Sequence, residues 1–358
     1  MSRVFVAGWG AVSPAGWNVA ALRDALNQGK PLPTGPVQRP GRETPFRARL
    51  VPDPVPRPAF LAHPRLRRTS PVTHYAAAAA LEAVARLRAS GNGRSRLGVV
   101  VCLQSGCVHY SCRFYAETLQ NPATASPLVF PETVYAAPAS HVAALLENVS
   151  LACTLVGDPA SFLQGASIGV QWLEEDCVDA SLVVGAEETN WILADALWHL
   201  ERTAVIAGGA GALCLSRDPR FSAGIELAAI TDPHTYSTRA NRTRAARTMR
   251  DQLGPGSPEE LLCDGLGDSP RANAPEQAAW CDWTGPRLSP KRILGEGLMA
   301  AAAWQCVAAC DAVAGGRFAA ASVSLVGSNQ QAIGARFVRV LPATSGLPAG
   351  APTATIRP

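Results

Sequence analysis

Ten cysteines and six histidines are the side chains of this sequence best suited to bind a metal or attack a substrate. Metal sites need such residues at short, regular spacings, but the sequence has no Cys-x-x-Cys pair and no cluster of Cys with His. Most of the cysteines, among them Cys102, Cys153 and Cys214, lie within apolar runs, which is typical of reduced thiols in a core. The sequence therefore predicts reduced, buried cysteines and no metal centre.

A helix start follows one of the apolar runs. Asp158-Pro159-Ala160-Ser161 comes soon after the strand-like run Ala152–Val156. Asp is a favoured N-cap residue, and Pro at the first helical position loses no hydrogen bond because that N–H has no partner in a helix. We therefore predict a helix from Asp158 to Glu175, with Ser161 in the first turn.

Composition excludes several classes of protein. The 358 residues include 32 Lys and Arg and 28 Asp and Glu, so the net charge of +4 is too weak to indicate nucleic-acid binding. With 47% hydrophobic and 17% charged residues, the chain can bury a sizeable core. Its apolar stretches are shorter than the roughly 18 residues of a membrane span. Val4–Gly8 is expected to be a first strand and not a signal peptide, which predicts a cytoplasmic protein.

Short apolar runs alternate with Ala-rich helical stretches, a pattern that predicts a layered α/β fold. The predicted strands are Val4–Gly8, Leu97–Leu103, Ala152–Val156, Ala180–Gly185, Gly211–Ser216, Ile225–Ile230, Leu261–Cys263, Val323–Val326 and Ala335–Leu341. The predicted helices, besides the one that starts at Asp158, are Val19–Gln28 with Asn18 as N-cap, Tyr75–Ser90, Ala139–Leu146, Thr243–Leu253 and Leu294–Val313. The first and second parts of the chain contain similar numbers of predicted strands and helices, which suggests an internal duplication. We therefore predict an N-terminal half of residues 1–216 and a C-terminal half of residues 217–358.

A proline-rich segment interrupts the first half between Pro31 and Pro71. Proline lacks the N–H that a helix or a central strand needs, so this segment is expected to be an irregular surface excursion. A contact loop for a partner is the alternative interpretation.

Several motifs resemble those of one enzyme family. The opening segment 3–16 combines a strand with Gly8-Trp9-Gly10 and Ser13-Pro14, and a helix then ends at Gly29-Lys30. Further matching stretches are Arg67-Arg68-Thr69, Gly98-Val99-Val100-Val101, 179–187 and 209–213. Together they span nearly the whole chain and resemble the β-ketoacyl synthases. The resemblance implies a thiolase-like fold with duplicated βαβαβαββ halves in a five-layered α-β-α-β-α core. It also implies a homodimer or a heterodimer that pairs through a strand next to the nucleophile.

The resemblance places unusual residues at the family's catalytic positions. Ungapped counting from both sides puts Pro159 where the family has its nucleophilic Cys. Asp264 stands where the family has the first catalytic His, and Glu296 stands where it has the second, five residues after a retained Lys291. The chain is therefore predicted to lack the Cys-His-His triad and its condensing activity.

Pocket positions are also changed relative to the family. Leu325 and Ala204 stand where phenylalanines are common, and Ala207-Gly208-Gly209 replaces a Gly-Glu-Gly triplet. Phe162, Ala204, Leu325 and Asn329 are the candidate substrate-pocket residues. Smaller side chains would widen an acyl pocket, although ordinary variation of a core explains Ala204 and Leu325 equally well.

Two functions follow from the resemblance. The first is a non-condensing partner of a ketosynthase, similar to a chain length factor, in fatty-acid or polyketide-type biosynthesis. The second is an acyltransferase or thioester hydrolase that uses Ser161 as nucleophile with Asp264 and Glu296 as the acid–base pair. Lys291 is the fourth candidate catalytic residue, although it would instead neutralise these carboxylates if they form a structural cluster. A binding module unconnected to acyl chemistry is a third interpretation.

Both main hypotheses predict the same ligand and partners. The ligand would be an acyl chain on the phosphopantetheine arm of an acyl carrier protein, and no other cofactor is expected. The partners would be that acidic carrier protein and a ketosynthase subunit or a second copy of this chain. Candidate arginines for a carrier surface are Arg65, Arg67, Arg68, Arg239, Arg242, Arg244 and Arg247.

Overall fold

A computed structural model describes residues 3–89 and 95–340 of the chain. Its strands are β1 (Phe5–Val12), β2 (Gly35–Val37), β3 (Phe46–Arg49), β4 (Leu97–Leu103), β5 (Val149–Val156), β6 (Ala180–Glu187), β7 (Ile206–Ala207), β8 (Gly209–Ser216), β9 (Ile225–Ile230), β10 (His234–Thr235), β11 (Leu261–Cys263), β12 (Arg287–Leu288), β13 (Ala320–Val326) and β14 (Gln331–Arg339).

Within the same residues the helices are α1 (Val19–Gln28), α2 (Pro71–Ala89), α3 (Val108–Gln120), α4 (Ala137–Leu146), α5 (Ser161–Glu174), α6 (Trp191–Leu200), α7 (Arg239–Leu253), α8 (Pro270–Ala279), α9 (Pro290–Leu294) and α10 (Met299–Ala314). Short 3₁₀ turns lie at Ala59–Ala62, Pro64–Leu66, Pro122–Thr124, Phe130–Thr133 and Pro219–Phe221. Among the described helices, none is both long and apolar enough to cross a membrane.

The strands form two five-stranded units with the same topology. The first has the order β5-β4-β6-β8-β1 and the second the order β12-β11-β13-β14-β9. In each unit the first three strands run parallel, and the fourth is antiparallel to both of its neighbours. The units join where Phe5 and Val6 of β1 pair with β9. The structure thus shows the duplication in the order of its strands. The division of the chain at 216/217 stays a prediction; β8 ends at Ser216 and β9 begins at Ile225.

Helices cover both faces of each unit and produce five layers. α2 and α4 pack on the outer face of the first unit, and α7 and α8 lie outside the second. α5 and α10 lie between the units and contact strands of both. The thiolase-like α/β fold with five layers, α-β-α-β-α, is therefore confirmed.

The central helix α10 is built mainly from small residues, and all but the last of them are buried. Small residues on both sides let α10 lie close to β8. A Cβ added at Gly211 of β8 would lie only 2.7 Å from the Cβ of Ala303 on α10. The indole N–H of Trp304 donates to the carbonyl oxygens of Val12 and Ala210 at 2.9 and 3.0 Å, which satisfies a buried donor and ties α10 to the first unit.

Several predicted helices were wrong at their starts. α2 begins at Pro71 and not at Tyr75, α4 at Ala137 and not at Ala139, and α7 at Arg239 and not at Thr243. The predicted helix Leu294–Val313 is two helices, because the chain turns at Gly295 (φ 99°) and Leu298 (φ 48°) before α10 begins. The predicted helix from Asp158 begins only at Ser161. The proline-rich segment stays outside the main sheet, although it contributes β2 and β3 to a small sheet with β7. The predicted element ends at Ser90 and Leu341 lie outside the described residues.

Candidate functional site

The segment between β5 and α5 carries the position predicted for a nucleophile. Pro159 lies in this segment, two residues before the helix, and the N-cap residue is Ala160, which has no side-chain cap. The prediction that Asp158 caps the helix was wrong, because its carboxylate turns to another part of the chain. The N-terminus of α5 therefore holds neither a thiol at residue 159 nor the predicted cap.

Asp158 binds the turn between β13 and β14. Its Oδ2 accepts hydrogen bonds from the backbone amides of Gln330 (3.0 Å) and Gln331 (3.4 Å), and its own amide donates to the side-chain oxygen of Gln330 (3.2 Å). The residue is almost fully buried. Burial raises the pKa of Asp158 above its ordinary value, and the backbone amides around it oppose that rise. Asp158 thus links the start of α5 to the turn 327–331.

Ser161 lies buried beside this turn. Its Oγ accepts a hydrogen bond from the side-chain amide of Gln331 at 3.0 Å, and the same amide donates to the side-chain oxygen of Gln164 at 2.8 Å. An amide cannot take a proton from a hydroxyl, so the contacts of Ser161 supply no general base.

A thiol does lie near the start of α5, but in the core. The Sγ of Cys102 donates to the carbonyl oxygen of Ser161 at 3.8 Å. Complete burial raises the pKa of this thiol far above its ordinary value, so it stays protonated. Cys102 packs as a core residue and is not placed as a nucleophile.

Asp264 follows β11 and is completely buried. Its Oδ1 accepts from the hydroxyl of Ser289 (2.5 Å) and the amide of Leu266 (3.3 Å), and its Oδ2 lies 3.5 Å from the guanidinium of Arg287. Burial raises the pKa of Asp264, while the Ser289 hydroxyl and nearby arginines lower it. These hydrogen bonds and the Arg287 guanidinium hold the carboxylate at the end of β11, in the second unit.

The like-charge neighbour of Asp264 is Glu276 on α8, a residue that sequence reasoning missed. Glu276 is almost fully buried and accepts a hydrogen bond from the amide of Gly265 at 3.1 Å. Burial, followed by the charge of Asp264, raises the pKa of Glu276 to about 7. Only the fold turns Glu276 inwards, while its neighbour Gln277 is exposed, so the sequence carried no signal for this pair.

Glu296 belongs to a different network. Its Oε2 lies 2.9 Å from the Nζ of Lys291, and its Oε1 accepts from the amide of Leu298 at 2.9 Å. Its backbone exchanges hydrogen bonds with Val205 and Ala207, which tie the segment to β7. Throughout the described chain, no hydrogen bond or ion pair joins Glu296, Asp264 and Ser161 to one another.

The four candidate pocket residues do not lie together. Phe162 is completely buried and fills the space over Gly185, where an added Cβ would meet its ring at 2.8 Å. Leu325 is buried in the same hydrophobic core on β13, and Ala204 lies in a turn whose amide bonds to Glu201. Asn329 alone lines an open cleft. Phe162 and Leu325 are therefore part of the packed interior.

The cleft that contains Asn329 is rich in arginine, and we call it the arginine cleft. It has a volume of about 280 Å³, and its lining residues are Glu201, Tyr236, Ser237, Thr238, Arg239, Arg242, Arg271, Ser328 and Asn329. None of its three arginines has an ion-pair partner in the part of the chain that the structure describes. Within residues 3–89 and 95–340, the buried Nε of Arg242 also has no hydrogen-bond acceptor. The cleft can therefore attract an anion. Arg271 was not among the arginines selected from the sequence.

A second exposed feature is apolar. α3 has 13 residues and buries none of them. Tyr115 and Leu119 on this helix are exposed, as are Leu128, Phe130, Val134 and Tyr135 in the segment after it, and we call these six residues the α3 surface. β5 is the end strand of its unit, pairs with β4 alone in the described sheet, and exposes Val156.

The chain has the same thiolase-like fold as solved ketosynthases and chain length factors. Structural superposition matches the ishigamide ketosynthase/chain length factor with a TM-score of 0.74 and 17% identity over 95% of this chain and 100% of the other. A ketosynthase in complex with its chain length factor from Xenorhabdus doucetiae matches with 0.77 and 15% over 95% and 98%. A β-ketoacyl synthase from Burkholderia phymatum matches with 0.78 and 17% over 95% and 100%. At these identities the likeness establishes the fold, and no protein-family model or curated protein matches the chain.

Proposed function

We propose that this chain is a non-condensing partner of a ketosynthase, comparable to a chain length factor, in fatty-acid or polyketide-type biosynthesis. The observation that carries the proposal is the uncovered apolar α3 surface, together with the open edge of β5, in a protein with the fold of ketosynthases. A partner subunit covers such a surface, whereas a monomer exposes it to water.

The residues at the family's catalytic positions support this role. Pro159 offers no nucleophile, and a carboxylate is too weak a base to replace an imidazole unless it is strongly desolvated. Asp264 is desolvated but accepts hydrogen bonds from Ser289 and Leu266, and Glu296 is neutralised by Lys291. These carboxylates therefore act as parts of structural networks.

The α3 surface supports association with a second subunit. α3 packs on its own chain only through half-buried residues such as Phe114, and helical stability in proteins comes mainly from packing an apolar face, so a partner that covers the exposed side of α3 would stabilise it further. Contiguous exposed apolar residues mark interaction sites, and an open edge strand can extend its sheet into a partner. A ketosynthase subunit would cover the α3 surface and pair with β5.

The arginine cleft supports binding of a carrier arm. Guanidinium groups suit phosphate because their planar N–H donors match its oxygens. We propose that Arg239, Arg242 and Arg271 meet the phosphate of an acyl carrier protein's phosphopantetheine, and that the acidic carrier docks on the adjoining arginines of α7. Unpaired, mostly buried cysteines fit a cytoplasmic setting for this complex.

Co-purification with a ketosynthase encoded beside this chain tests the proposal. We expect the two chains to co-elute and the products of the ketosynthase to change in length when this chain is present. Leu119→Asp together with Val156→Asp should abolish co-elution without unfolding the chain, because each change places a charge on the expected interface. Val55→Asp is the matched control, since Val55 is an exposed valine outside the α3 surface and β5.

The intact mass after exposure to acyl-loaded carrier protein separates this role from acyl transfer. We expect no acyl adduct on this chain, and Ser161→Ala should leave product length unchanged. An adduct on Ser161 would establish an acyltransferase or thioester hydrolase instead. Separate elution of the two wild-type chains, with unchanged products, would contradict the partner role.

A further inference from the structure

The carboxylate of Asp158 is enclosed between the start of α5 and the turn 327–331. Oδ2 accepts hydrogen bonds from the amides of Gln330 and Gln331, while Oδ1 is buried and has no hydrogen-bond partner among the described residues. No cation makes an ion pair with Asp158 within the described chain. The negative charge is therefore held by backbone amides, as a bound anion would be.

Gly327 provides the space for this carboxylate. A Cβ added at Gly327 would lie 1.8 Å from Oδ2 of Asp158 and 2.4 Å from its Cγ, which no real contact allows. The φ of Gly327 is not in the left-handed region, so the backbone conformation does not demand glycine there. The absence of a side chain at 327 is thus explained by the carboxylate of Asp158.

The turn that holds Asp158 also borders the arginine cleft. Ser328 and Asn329 line the cleft, whereas Gln330 and Gln331 face Asp158. On the other side, Tyr236 fastens the turn by a hydrogen bond from its hydroxyl to the carbonyl of Gly327 and one from its amide to the carbonyl of Gln330 (2.8 Å). The turn is therefore held between Asp158 and Tyr236.

We propose that the turn 327–331 and the start of α5 form a carboxylate-binding site whose occupant is the chain's own Asp158. The site takes a single carboxylate group, and without the Asp158 side chain it accepts a short carboxylic acid from solution. While Asp158 occupies this site, a ligand in the arginine cleft cannot reach the inner side of the turn. This inference goes beyond the proposed function and requires no partner protein.

Rescue by formate tests the site. Asp158→Ala removes the carboxylate and leaves a hole of that size, so it should lower the thermal midpoint. Sodium formate should raise the midpoint of Asp158→Ala in a saturable manner, because a ligand that binds only the folded state stabilises it. Sodium chloride at equal ionic strength and neutral formamide should not do so. Wild-type protein and Asp282→Ala, which lacks an exposed carboxylate, should respond to formate no more than to chloride.

A second substitution locates the binding. Gly327→Ala should lower the midpoint of the wild-type protein strongly, because the new Cβ collides with Asp158. In the Asp158→Ala background, Gly327→Ala should lower the thermal midpoint much less. It should also abolish the response to formate, because the new Cβ fills the space that the carboxylate has left. This coupling can be measured even if Asp158→Ala is only partly folded, since Asp158→Ser can replace it in the cycle.

Two results would overturn the inference. One is a folded Asp158→Ala protein that responds to formate no more than to chloride. The other is a Gly327→Ala change that lowers the thermal midpoint by the same amount with and without the Asp158 carboxylate. Either result can occur whether or not a ketosynthase binds this chain, so the inference and the proposed function are tested separately.

Discussion

Replacement of Glu276 by glutamine is expected to stabilise the protein above pH 7 and to change its stability little near pH 4.5. Burial and the neighbouring charge of Asp264 raise the pKa of Glu276 from 4.5 to about 7. The folded state therefore binds the proton more tightly than the unfolded state, and stability is lost as the pH rises from 4.5 to 7. A pKa difference of this size corresponds to about 3 kcal/mol at pH 8. Glutamine is uncharged, so it does not carry this cost.

Thermal melts of Glu276→Gln and wild type at pH 5 and pH 8.5 measure the effect. At about 2.1 cal/mol/K per residue, the unfolding entropy of a chain of 358 residues makes 3 kcal/mol equivalent to a shift of about 4 °C. The glutamine oxygen can still accept from the amide of Gly265, so that hydrogen bond is retained. Glu259→Gln, at an exposed carboxylate, is the matched control and should show no pH-dependent difference.

Asp264→Asn independently tests whether the charge of Asp264 contributes to the raised pKa of Glu276. It removes the like charge, so the pKa of Glu276 in the folded protein should fall, and the loss of stability above pH 4.5 should be smaller and should end at a lower pH. If Glu276→Gln differs from wild type by the same amount at pH 5 and at pH 8.5, Glu276 does not titrate in the folded protein near pH 7, and the reasoning from burial is refuted.

Three further predictions follow from packing and charge. Phe162→Ala should lower the free energy of unfolding by about 3–5 kcal/mol in urea titrations, because it empties a fully buried site; a loss below 1 kcal/mol would mean that the site is not packed. Gly10→Ala should prevent recovery of folded protein, since its Cβ would lie 2.1 Å from a carbonyl of α2, whereas Gly267→Ala should be tolerated; circular dichroism of both distinguishes the cases. Arg271→Ala should weaken binding of phosphopantetheine-loaded carrier protein in titrations, and Arg247→Ala, outside the cleft, should weaken it less; equal losses would argue against a phosphate in the cleft.

Local patterns predicted many of the elements because their signals lie within a few residues. Asn18 caps α1 as predicted, accepting from the amide of Ala21 at 2.8 Å, and β4, β9 and β11 match their predicted bounds because each is a short run rich in apolar residues. The break before α10 was missed although Gly295 and Gly297 signal it in the sequence, because the apolar residues on both sides were interpreted as one helix. α3 was also missed, since its apolar residues are mixed with polar ones and lie on both its half-buried and its exposed sides, Phe114 on the first and Tyr115 and Leu119 on the second.

The sequence was sufficient to predict a layered α/β fold with a ketosynthase-like arrangement. The assignment of Pro159, Asp264 and Glu296 to the family's catalytic positions comes from the resemblance and stays a prediction. These predictions depend on residue types and on spacing along the chain. The tertiary structure alone paired Asp264 with Glu276 and turned Asp158 onto the turn 327–331. Both depend on contacts between distant segments and on exclusion of water, which determine the protonation and the partner of a carboxylate and which no local pattern encodes.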